Sequence, residues 1–133
     1  MYTDGTAPVE SAWDLSTPWS QDKRYLRAAD LFDHRFYWEA HEAWEALWHF
    51  TDKGTPEHAL LQSLIQASAG LLKLHMGDTK SAHSLIDRAE QRLTPFINAT
   101  GPVLRGIDTP ILFERIRQCF ADKSWPLIPM ESA

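Results

Sequence analysis

A chain of 133 residues with 44% apolar side chains is one domain's worth and holds enough hydrophobic surface for one core. Its 18 acidic against 13 basic side chains leave a formal charge of -5, a field that does not attract phosphate backbones, so nucleic acid is excluded as an expected partner. The single cysteine, Cys119, cannot form an internal disulfide or build a Cys-rich zinc site, which suits a reducing compartment.

Met1 to Val9 is polar and small, without the basic and apolar regions of a secretory signal or anchor. The longest apolar stretch is broken by Gln62, Ser63, Gln66, Ser68 and Lys73, so no membrane span is expected. A soluble cytoplasmic protein is the expectation. Residues 1–20, with Pro8, Pro18 and Gly5, read as an extended N-terminal arm tied down by Trp13 and Trp19.

Five helices follow, with no sheet, so the fold class is all-α: a compact bundle forming a single helical domain over 21–123. The first spans 21–33, with Tyr25, Leu26, Ala29 and Phe32 recurring at three and four. The second spans 36–50 and is ended by Asp52-Lys53-Gly54-Thr55-Pro56. The third, 56–76, is apolar around most of its circumference and should be central, with a stripe of Gln62, Gln66, Ala69 and Lys73 left over. The fourth, 79–93, buries Ala82, Leu85, Ile86, Ala89 and Leu93 and is stopped by Pro95. After an irregular stretch holding Gly101, Pro102 and Gly106, Thr109-Pro110 opens the fifth, 110–122, which buries Leu112 or Phe113, Ile116 and Phe120. Residues 124–133 form an extended C-terminal tail.

The chemistry is concentrated in the second helix, where Phe36-Tyr37-Trp38-Glu39-Ala40-His41-Glu42-Ala43-Trp44-Glu45-Ala46-Leu47-Trp48 carries three tryptophans, three glutamates and a histidine. At about 100° per residue Tyr37, His41, Trp44 and Trp48 share one face with Glu45 on its flank, while Glu39 points the other way.

These residues resemble a family. Leu31-Phe32, the block F-Y-x-x-A-H-E-x-W-E-x-x-W from Phe36 to Trp48, Leu61-Gln62-x-Leu64-Ile65-Gln66-x-x-Ala69, then Gly77-Asp78 and Ala82 are similar to a family of small all-helical prokaryotic proteins, with some plant relatives, classified as a domain of unknown function. The resemblance covers about residues 24–93 and implies a compact helical bundle; it implies no activity. The chain departs from it at Asp33-His34-Arg35, where a turn containing Asn or Gly is expected.

Three readings of the block compete. His41-Glu42-x-x-Glu45 is half of a zinc-peptidase-like motif: His41 and Glu45 are metal-ligand candidates, with Glu42 in the place of the base, and any further ligands must come from His34, His49, His58, His75, His83 or distant acids. The same His41, Glu42 and Glu45 are the catalytic candidates for acid/base chemistry, so a metal-dependent or acid/base enzyme is the alternative function. No nucleophile accompanies them, since Cys119 lies between Ile116 and Phe120 on an amphipathic helix and reads as buried and inert. The favoured reading is a non-catalytic binding or interaction protein whose block is mainly a structural network, with His41, Glu45, Gln62 and Gln66 satisfying Tyr37, Trp44 and Trp48. A crevice lined by Trp38, His41, Trp44, Glu45 and Trp48 would suit a small polar or cationic ligand. Tyr37, Trp38, His41, Trp44, Glu45, Trp48, Gln62 and Gln66 are thus the candidate ligand-binding residues. No cofactor is expected, and a homo-oligomer could bury Trp13, Trp19 and Trp125.

Overall fold

Side-chain caps lay out four of the five α-helices found among the described residues, each cap oxygen accepting the backbone N–H three positions on. Asp22 takes the Tyr25 N–H at the start of α1 (Lys23–Asp33), and Thr55 takes that of His58 at α3 (Pro56–His75). Asp78 takes the Ser81 N–H at α4 (Thr79–Thr100), and Asp108 takes that of Ile111 at α5 (Thr109–Asp122). The remaining helix, α2 (Tyr37–Trp48), begins at Phe36 without a side-chain cap. The computed structural model describes residues 13–131, so the expectations for residues 1–12 and 132–133 lie outside it.

α3 is the central element, packed against α2 on one side and α4 on the other. Leu60, Leu61, Leu64, Ala67 and Leu71 are sealed from solvent, each leucine contributing about 1.5–3 kcal/mol of burial. α4 comes close because Gly70 has no side chain: a Cβ there would stand 2.8 Å from Ile86 Cδ1. Ser63 Oγ then donates to the Ala89 carbonyl at 2.8 Å, closing one polar link across the same interface.

The structure departs from the sequence expectation in several places, each with a physical cause. α4 does not stop at Pro95 but continues to Thr100. An interior proline costs about 3 kcal/mol, and the extra turns place Phe96 and Ile97 against the core, which offsets it. The irregular stretch is a short hairpin, β1 (Val103–Leu104) antiparallel to β2 (Ile107–Asp108), so the bundle carries a two-stranded sheet where none was expected. Arg105 and Gly106 form its turn with φ 42° and 78°, the two positive angles that suit a tight hairpin. Strands of two residues are too short to display a period of two, and Arg-Gly is not the Asn-Gly signal. In the turn after α1, where the resemblance leads one to expect Asn or Gly, Arg35 adopts the left-handed φ of 65°.

Both ends of the described chain are sewn to this hairpin. Trp13 Nε1 donates to Asp22 Oδ2 at 2.5 Å, and Arg105 pairs with the same oxygen at 3.0 Å. The Arg105 guanidinium lies 4.5 Å over the Tyr25 ring, and the Tyr25 hydroxyl donates to the Arg105 carbonyl. Burial holds the Tyr25 phenol well above the ordinary tyrosine range. At the other end, Ile128 N donates to Asp33 Oδ1 at 2.7 Å, Asp108 N to the Pro129 carbonyl, and Met130 bridges to Ile107. Trp125 lies 6.0 Å from Tyr37 and 5.6 Å from His75. Trp13, Trp19 and Trp125 are partly buried and pack against the chain's own core. No helix among the described residues is long and apolar enough to cross a membrane.

Candidate functional site

The aromatic block is helical, but its inward face is rotated from the one expected. Tyr37, Ala40, Trp44 and Leu47, at spacings of three, four and three, are the residues of α2 buried against the core. Two stripes compete on one amphipathic helix, and the one with small Ala40 and aliphatic Leu47 fits the close packing of α1 and α3 better than one with His41 and Trp48. His41 and Trp48 are consequently half-buried on the flanks, and Glu42 and Glu45 are in water. The expected pair of an imidazole and a carboxylate looking inward is not formed.

Nor are the hydrogen bonds of the expected network. Among the described residues Tyr37 Oη, His41 Nδ1, Trp44 Nε1 and Trp48 Nε1 are buried without a partner. Gln66, assigned in sequence to these groups, instead accepts from Arg92 Nε at 2.8 Å. Trp44 packs edge-on to Tyr25 at 5.5 Å, and Tyr37 edge-on to Phe32 at 5.3 Å, so both serve the core as hydrophobic rings. Burial raises the Tyr37 phenol well above its usual range.

Trp38 is 55% exposed and stacks on His41 with ring centroids 5.4 Å apart and planes 11° from parallel. No group of three or more His, Cys, Asp or Glu side chains arranged to hold a metal occurs among the described residues. Cys119 is buried in α5, and desolvation pushes its thiol up, away from the reactive thiolate.

The end of α2, the α2–α3 loop, the first turns of α3 and α4 line an open groove of about 420 Å³. Trp48 and His58 form one wall, with ring centroids 4.9 Å apart and planes inclined by 35°. Gln62, Arg92 and Phe96 complete it, and Lys53 stands on the loop side. The His58 ring is fixed by chemistry as well as packing. Thr51 Oγ1 lies 2.7 Å from the Trp48 carbonyl, which can only accept, and 3.0 Å from His58 Nδ1. With its one proton committed to the carbonyl, the hydroxyl accepts from Nδ1–H, and His58 Nε2 is left without a partner among the described residues.

Of the candidate ligand-binding residues, only Trp48 and Gln62 line this groove, and Gln66 supports it through Arg92. Tyr37 and Trp44 are core, and Trp38, His41 and Glu45 lie outside the lining. The polar side chains that line the groove are Lys53, Thr55, His58, Gln62 and Arg92, and Glu45 is not among them. Lys53, His58, Arg92 and Phe96 were not grouped by sequence reasoning. The available signal was a helical stripe, His58-Gln62-Gln66 at steps of four, facing another, Arg92-Phe96.

A family model described as a domain of unknown function (DUF309) matches residues 25–85, a stretch that runs from within α1 through α2 and α3 into the first part of α4. No curated protein matches the chain.

Proposed function

We propose, for a chain whose residues 25–85 match a family model without an assigned function, that it is a cytoplasmic, non-catalytic binding protein which takes a small molecule in the Trp48–His58 groove. The observation that carries this is the construction of the groove. A wall of two aromatic planes, an amide and two cationic side chains converge on a volume of the size that small ligands occupy, on helices held rigid by the Leu-rich α3. The His58 ring is held in one orientation by Thr51, which is the preorganisation that binding needs. The His41–Trp38 stack offers a planar surface but no enclosing walls, and its carboxylate neighbours are dispersed in water.

A fragment screen by amide-resolved NMR on the full chain tests the reading. The expected result is a set of fragments whose binding moves the signals of Thr51, His58, Gln62 and Arg92 together. Fragments that move Trp38 and His41 and leave that set unperturbed would refute it.

A further inference from the structure

We infer that the occupant of this groove is an organic oxyanion, a carboxylate or phosphate monoester joined to a planar apolar body; the inference rests on the binding reading above. Two of the nine lining residues, Lys53 and Arg92, are cations, and none is a carboxylate. This local excess stands out on a protein whose formal charge is -5. Neither Lys53 nor Arg92 forms an ion pair among the described residues, where Arg105 and Arg117 are the only Lys or Arg side chains that do, so both remain available to an anion.

Arg92 is moreover oriented: its Nε is occupied by Gln66 Oε1 at 2.8 Å, which fixes the plane of the guanidinium and leaves its two terminal nitrogens to donate. A planar fork of that kind matches the paired oxygens of a carboxylate or phosphate, and Lys53 adds a point charge on the loop side. Trp48 and Phe96 supply the faces for an apolar ring, and Gln62 a neutral donor and acceptor between the two regions. Two other surface hollows among the described residues lack this arrangement. The one at α1 sets Arg27 against Asp30, and in the one beside the tail Arg115 already donates to the Leu127 carbonyl.

The test uses four probes of one shape: benzoate, phenyl phosphate, benzamide and benzylamine, titrated against the full chain while the His58, Gln62 and Arg92 signals are followed. The oxyanions are expected to bind about tenfold more tightly than benzamide, benzylamine more weakly than either, and added salt to narrow the gap. The tighter of benzoate and phenyl phosphate identifies the head group. Arg92→Gln and Lys53→Gln, both at exposed positions and checked for an unchanged melting curve, should each cost the oxyanions most of that advantage and leave benzamide unaffected. Benzamide or benzylamine binding the groove as well as benzoate does would overturn the oxyanion while leaving the groove as a binding site. Oxyanion affinity that survives both substitutions overturns it as well. Silence of the groove signals toward all four probes, with other fragments also failing there, would remove both readings.

Discussion

Replacing Gly106 with alanine separates the role of the hairpin from that of backbone strain. Gly106 sits in the β1–β2 turn with φ 78°, and a Cβ built on it would lie 2.5 Å from Trp19 Cζ2 and 2.6 Å from Cδ2, with no flexible end to give way. The indole must leave the hairpin. A tryptophan buries about 150–250 Å², and losing roughly half of that contact costs about 2–3 kcal/mol at about 25 cal/mol per Å². The left-handed backbone adds about 1 kcal/mol for any residue with a Cβ. Gly77 supplies the control, because it has φ 88° at the end of α3 and open space where its Cβ would go. Gly77→Ala should lose only the backbone share, about 1 kcal/mol, and Gly106→Ala about 3–4 kcal/mol. Urea unfolding followed by far-UV circular dichroism measures both. Equal losses in the two variants would show that Trp19 does not rest on the turn, and the account of how the N-terminal segment is anchored would fail.

The block itself should divide by depth. Trp44→Ala, from a fully buried ring, is expected to cost about 3–5 kcal/mol, and half-exposed Trp38→Ala less than about 1 kcal/mol, with equal costs contradicting the assigned face. Arg35→Asn should stabilise the chain by about 0.5 kcal/mol in thermal unfolding, since asparagine tolerates φ 65° better than arginine; a loss would place the turn in another conformation. Desolvation holds Asp33 above the ordinary carboxylate range, so the unfolded chain releases this proton first and Asp33 contributes less to stability as pH rises through its raised value. The urea midpoint of Asp33→Asn relative to the parent should therefore climb with pH across that window, and a falling difference would reverse the sign. Cys119 should resist a thiol reagent in the native protein and react fully in urea; ready native labelling would contradict its burial.

Helix positions were legible because the chain states them chemically: Asp78 and Thr55 cap, Pro56 and Pro110 enter first turns, and Gly77 closes α3. The identity of α3 as the centre followed from leucines around most of its circumference. The direction of α2 was less legible because two stripes a single residue apart, Tyr37-Ala40-Trp44-Leu47 and Tyr37-His41-Trp44-Trp48, both satisfy helical periodicity, and only packing density chooses between them. The groove was hidden for a different reason. Its walls come from α2, a loop, α3 and α4, and Phe96 lies beyond the proline at which the fourth helix was expected to end. Gln62 and Gln66 were recognised as a stripe, yet their neighbour turned out to be Arg92 from α4, a long-range pairing that no local pattern encodes.

The six tryptophans give a direct test of where ligand binds. In protein labelled with a fluorinated tryptophan, each indole reports its own surroundings, and Trp48→Phe assigns the groove signal while Trp38→Phe assigns the exposed one. Addition of benzoate should displace the Trp48 resonance and leave Trp38 in place. Displacement of Trp38 with Trp48 unmoved would put the site on the His41 stack and contradict the account.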